Sequence, residues 1–222
     1  MALSRLNYNS LNVTPTASKG IGFDSGADDL SIDFAGGSMT FIKKLTSDGS
    51  DDTLSFVDGT SDVVLDDTYK EYMFIFNNIH PETDKVIFGF QGNAAGGADY
   101  NETITSTAFA AEIAEDGTFS GLSYQTAYDQ AQGTAFQALA NAVGNDNDQC
   151  CSGYLHLFNP SSTTFVKHFI AECNTYFTDT LEFTLRANIA GYFNTTSAID
   201  EIQFKMSSDE IQGGTIALYG IK

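Results

Sequence analysis

A chain of 222 residues with 18 Phe, 10 Tyr and 20 Gly is long enough to fill one sizeable β-type core. Ten basic against 29 acidic residues give a formal net charge of −19, which argues against a nucleic-acid partner and against an anionic membrane surface. No apolar run approaches a membrane span, and the opening Met1-Ala2-Leu3-Ser4-Arg5-Leu6 lacks a signal-peptide core, so the expected site of synthesis and assembly is a cytosol.

Residues 1–37 hold few large apolar side chains among many small and polar ones. Thr14-Pro15-Thr16 and the Asp24–Asp29 stretch suit extended arm and loop. Leu3, Leu6, Tyr8, Leu11, Ile21 and Phe23 are candidate anchors that pin such an arm to its own domain or to a neighbour. Residues 38–222 form the expected β-sandwich domain.

From Met39 the pattern alternates strand and turn. Met39 to Leu45 and Thr53 to Val57 suit strands around an Asp/Gly/Ser turn at 47–52. Tyr69 to Asn78 is the strongest central strand, with Tyr72, Phe74 and Phe76 on one face and Met73 and Ile75 on the other. Lys85 to Gln91 places Val86, Phe88 and Phe90 inward, residues 92–104 form a Gly/Ala/Asn-rich loop, and Ala108 to Ala114 is a further strand. Phe136, Leu139, Ala140 and Val143 fall at helical spacing, which predicts one short helix near 131–142.

Tyr154 to Phe158 and Thr164 to Glu172 predict a hairpin around Asn159-Pro160-Ser161-Ser162. Strands then follow at Thr180 to Arg186, or onward through Tyr192, and at Ile199 to Met206. The last, from Thr215, is apolar on both faces (Ile216 and Leu218 against Ala217, Tyr219 and Ile221) and is expected inside a sheet. About nine or ten short antiparallel strands predict an all-β, two-sheet β-sandwich of jelly-roll type.

Catalytic signatures are absent: there is no G-x-S-x-G, H-E-x-x-H, P-loop or G-x-G-x-x-G, so no enzyme and no cofactor is expected. His80 before Pro81 suits a turn, and His156 and His168 lie on the two arms of the expected hairpin, where they could face each other but lack a third metal ligand. Asp48–Asp52 and Asn145–Asp148 offer too few oxygens for calcium. Cys150, Cys151 and Cys173 are an odd set and read as reduced, buried thiols. Tripeptides from Asn12, Asn101 and Asn194 match the glycosylation sequon by chance in an Asn/Thr-rich chain. Tyr100, Tyr124, Tyr128 and Tyr192 near loops keep carbohydrate recognition open as an alternative.

Four segments carry a resemblance: Thr68-Tyr69-Lys70-Glu71-Tyr72-Met73-Phe74 with Asn78-Ile79-His80-Pro81, Gly153 to Ser162, Ala190 to Thr196, and Thr215 to Lys222. As a set the chain resembles uncharacterised virion structural proteins of marine tailed bacteriophages of the cyanophage type. The resemblance carries no functional residue. It implies a non-enzymatic surface component of a virus particle, in capsid decoration or a tail appendage. The partners it implies are other virion proteins and copies of the chain itself, a homo-oligomer for which a trimer is one candidate. The alternative is a receptor- or carbohydrate-binding module of a tail fibre.

Overall fold

The computed structural model describes residues 22–23, 30–31, 38–178 and 181–222. These form strands, turns and loops, with no helix among them. Strands β1 (Gly22–Phe23) and β2 (Leu30–Ser31) pair antiparallel as a small sheet of their own. Of the expected arm anchors, Leu3, Leu6, Tyr8, Leu11 and Ile21 lie outside the described residues, and Phe23 pairs with Leu30 across this small sheet.

Thr40–Lys222 is one compact unit. Its strands, with β3 starting one residue earlier, are β3 (Met39–Thr46), β4 (Leu54–Val57), β5 (Glu71–Pro81), β6 (Val86–Ala94), β7 (Ile104–Ala114), β8 (Ser120–Tyr124), β9 (Ala131–Gly133), β10 (Gln137–Val143), β11 (Cys151–Phe158), β12 (Lys167–Thr178), β13 (Glu182–Phe193), β14 (Ile199–Met206) and β15 (Ile211–Ile221). They make two antiparallel sheets. The larger has nine strands in the order β3-β15-β5-β11-β12-β13-β7-β8, with β9 also on β7; the smaller has four in the order β10-β6-β14-β4.

The alternation along β5 explains how the sheets join. Tyr72, Phe74 and Phe76 are buried while Met73 and Ile75 between them are half-exposed. From the small sheet Phe204 meets Phe74 and Phe76, each at 5.3 Å between ring centroids, and Phe88 meets Phe76 at 5.3 Å. Farther along, Phe90 packs edge-on against Phe169 at 5.1 Å and near Phe193 at 6.0 Å. Edge-to-face packing of this kind adds about 0.5–1.5 kcal/mol per pair beyond area burial. Two sheets whose inner faces interlock through phenyl rings are a β-sandwich.

The hairpin around Pro160 forms as β11 and β12, in register from Cys151 opposite Thr175 to Leu157 opposite Phe169. The closing strand lies between β3 and β5, with Ile216 and Leu218 buried against Phe76 and Phe74.

The short helix expected near 131–142 is absent. That stretch forms β9 and β10. Two register shifts in β10, between Ala138 and Ala140 and between Ala140 and Val143, break the period of two. They leave Leu139, Ala140 and Val143 buried together, which imitates helical spacing. Phe136 points elsewhere and lies under the Lys205 ammonium at 4.4 Å.

Candidate functional site

Register across the large sheet defines what its outer face displays. Residues directly opposite in an antiparallel pair point the same way. One cross-strand row runs Tyr219, Met73, His156, Ile170, Ala190, Thr107. The next runs Ala217, Ile75, Tyr154, Glu172, Asn188, Phe109, Tyr124. On the other side of the first row stand Phe158, His168, Tyr192 and Thr105. The alternate residues of β5, β11, β12, β13 and β7 turn mostly inward, toward the four-stranded sheet, and this second set turns outward.

The face is open and sets exposed apolar side chains among polar ones. Phe109 is 46% exposed, Ile170 50%, Tyr124 53% and Leu122 74%. Two hollows interrupt it. One, of about 420 Å³, is lined by Thr105, Thr107, His168, Ile170, Ala190 and Tyr192 among others. The second, of about 350 Å³, is lined by Ala111, Ile113, Asn174, Thr184 and Arg186 with Glu112. Small side chains at Ala190, Thr107 and Ala111 floor the hollows, and the Phe109–Asn188–Glu172 row rises between them.

Charged side chains in and beside these central rows have local partners. Glu71 accepts from the His156 ring. Arg186 donates to Glu172 at 2.5 Å, and the Tyr154 hydroxyl donates to the same carboxylate oxygen at 3.4 Å. The Glu172 carboxylate beside Arg186 raises the guanidinium pKa further. Burial, with Glu172 nearby, also pushes the Tyr154 phenol up. Free negative charge gathers at one end of the sheet instead, where Glu115 and Glu182 share a hydrogen bond that raises the Glu115 carboxyl.

The residues singled out as possible chemistry take structural places. His156 and His168 share the outer face but do not oppose each other: His156 faces Ile170, and His168 faces Tyr192 with ring centroids 5.8 Å apart. His80 Nδ1 lies 2.6 Å from the Gln149 carbonyl oxygen, a backbone partner distant in sequence rather than in its own turn. Asp48 accepts from the Ser50 amide and hydroxyl, and Asn145 donates to the Glu82 carbonyl, so both calcium candidates use their side chains to close loops. Among the described residues no group of three His, Cys, Asp or Glu is placed to hold a metal. Cys151 and Cys173 are buried free thiols whose pKa burial raises, while Cys150 is only half-buried. Tyr100 donates to Glu201 and Tyr124 to Asp129, each at 2.7 Å, and Tyr128 packs against the core.

Buried polar side chains, Lys167 and Gln137 among them, were not foreseen. Lys167 is fully buried, and its ammonium donates to the Phe165 and Thr195 carbonyls at 2.9 and 3.1 Å. Burial lowers its pKa, with Glu102 opposing the shift. Gln137 ties the sheets together: its carbonyl accepts from Ser106 of β7 at 2.6 Å and its amide donates to Tyr128 O at 2.8 Å. For Lys167 the sequence signal is a polar residue inside a strand-like run; Gln137 has none, because its stretch reads as a helix, and only the register shows that both turn inward.

No protein-family model, curated protein or solved structure matches the chain.

Proposed function

We propose that the chain is a non-enzymatic structural protein of a bacteriophage particle, a surface component in capsid decoration or a tail appendage that acts through protein–protein assembly. The observation that carries the assembly part is the outer face of the nine-stranded sheet. It presents Phe109, Ile170, Leu122 and Tyr124 to solvent on a molecule that otherwise carries a large negative charge. Large apolar side chains clustered on one exposed face mark an interaction site. The phage assignment draws on the four segments of resemblance, which fall on parts of β5, β11 and β15 and on the end of β13.

The polar, acidic remainder of the surface suits a component that faces solvent and stays dispersed until it meets its partner. Residues 2–33, with their spaced apolar points, are the proposed tether to the particle or to neighbouring copies. A gold-labelled antibody raised against residues 38–222 should decorate intact particles in a regular array, and a chain lacking residues 2–33 should be lost from them. Particles that never bind the antibody overturn the virion reading, and normal incorporation of the shortened chain overturns the tether.

A carbohydrate- or receptor-binding module of a tail fibre is the second reading. The larger hollow favours it, because Tyr192, His168 and Phe158 stand there beside the Thr105 and Thr107 side chains, a mixture suited to the apolar faces and hydroxyls of a sugar. Glycan binding by the purified chain that disappears in Tyr192→Ala supports this reading, and a blank glycan panel removes it.

A further inference from the structure

We infer that the outer face of the nine-stranded sheet is where a second copy of this chain docks, face to face about a two-fold axis. The inference rests on the assembly reading above and names the occupant of that surface.

Charge selects the occupant first. Two copies of a chain with net charge −19 repel one another over most of their surfaces. On this face the Glu172 carboxylate is paired with Arg186, and Glu71 in the flanking row is hydrogen-bonded by the His156 ring. A basic partner would find the Glu172 charge already paired there, whereas a like copy meets less repulsion over these rows than elsewhere on its surface. The acidic residues left outside those rows, such as the Glu115–Glu182 pair, then lie at the rim.

Shape agrees with a two-fold contact. Such a contact needs one surface that carries both halves of the fit. The row holding Phe109 and Tyr124 rises beside the 420 Å³ hollow floored by Ala190 and Thr107. Rotating a second copy by half a turn offers the raised row of each to the hollow of the other. Size agrees as well. The strands β5, β11, β12, β13 and β7 are eight to twelve residues long. At sheet spacings they present roughly 24 Å by roughly 30 Å, about 700 Å². A stable interface buries about 800 Å² per partner.

The test is the molar mass of the purified full chain, by sedimentation equilibrium at low and raised salt. The expected result is a dimer, twice the 23.9 kDa of one chain. Added salt should tighten it, because salt screens the repulsion between the acidic remainders. Phe109→Glu should weaken the dimer by at least about tenfold, since the substitution enters a two-fold contact twice. Ile170→Asn, which adds no charge, should weaken it without altering the circular dichroism or thermal unfolding of the monomer. Thr60→Glu, in a turn between β4 and β5, should leave the dimer intact.

A monomer at all salt concentrations overturns the inference, and so does a trimer. A dimer that Ile170→Asn leaves unchanged overturns it, as does one lost only on removing residues 2–33. The assembly reading fails separately: a monomeric chain that still decorates particles removes the two-fold pairing alone, and a dimer never found on particles removes the virion assignment alone.

Discussion

Phe204 concentrates the stability of this sandwich in one side chain. It is fully buried, and Phe56, Phe74, Phe76, Phe88 and Phe90 all lie within ring-contact range, with centroids 5.3 to 6.3 Å away. Rings from both sheets surround it, so truncation opens a cavity that neither sheet can close by shifting alone. Phe204→Ala should cost about 3–5 kcal/mol, read as a lower urea midpoint with an unchanged slope. Gln137 acts differently, since its worth lies in what its loss would strand. Gln137→Leu keeps the volume but leaves the buried Ser106 hydroxyl and the Tyr128 carbonyl without their partner, although Ser106 still accepts from the Gln130 amide. The expected loss is about 1–3 kcal/mol. Gln137→Glu should cost more at neutral pH than at acid pH, because protonating the carboxyl restores a donor. Equal losses in the two variants at every pH would remove the hydrogen-bond account.

The strands that could be read in the sequence are those whose two faces differ in a regular rhythm. β5 was legible because Tyr72, Phe74 and Phe76 alternate with Met73 and Ile75, and β14 because Ile202, Phe204 and Met206 alternate with Gln203 and Lys205. β10 was illegible because its two register shifts put neighbouring residues on one side, and burial spacing then mimics a helix. The outer face was hidden for another reason. Each exposed apolar residue on β7 and β12 looks like an ordinary strand residue, those on β8 fall where the sequence reads as loop, and the surface exists only when register aligns five or more strands. The anchors of residues 1–37 lie outside the described residues, apart from Phe23. β15 combines a legible and an illegible part. Its apolar half from Thr215 is plain, but the strand starts at Ile211 and crosses two register shifts opposite Asn78 and His80. Gly214 makes that crossing possible. Its φ is +110°, and a Cβ there would stand 2.5 Å from the Asn78 carbonyl oxygen and 2.8 Å from the Ile79 Cα. Both contacts are to backbone, which cannot rotate away. Gly214→Ala should therefore destabilise by about 1–3 kcal/mol or more, whereas Gly213→Ala, whose Cβ would meet only the His80 Cβ at 3.9 Å, should be tolerated. Thermal unfolding of the two variants side by side checks this, and equal midpoints would refute it.

At the scale of the whole molecule, stability should peak on the acid side of neutrality, and two sets of carboxyls set its limits. Asp48, Asp66, Asp116 and Asp209 accept from neighbouring hydroxyls, and Asp48, Asp66 and Asp116 also from a backbone amide, which holds them below their ordinary 3.8. A carboxyl lowered on folding contributes stability above its unfolded value and loses it as pH falls through the folded one. These groups weaken the fold below about pH 4. Glu115 beside Glu182 and Glu210 beside Glu82 are raised above their ordinary 4.5 by a neighbouring carboxyl, and Asp200 above 3.8 by burial. Their contribution has the opposite sign: it is present below the unfolded value and lost as pH rises through the folded one. The net charge of −19 at neutrality acts in the same direction, since it falls away toward the isoelectric point near 4.1. The melting temperature should therefore rise as pH is lowered from 7 to about 5, then fall steeply below about 4. Glu115→Gln should flatten the first limb and Asp116→Asn the second. Salt should raise the melting temperature at pH 7 by screening self-repulsion and do little near the isoelectric point. A melting temperature that climbs steadily from acid to neutral pH, or that salt lowers at pH 7, would show that paired carboxyls and net charge do not govern this fold.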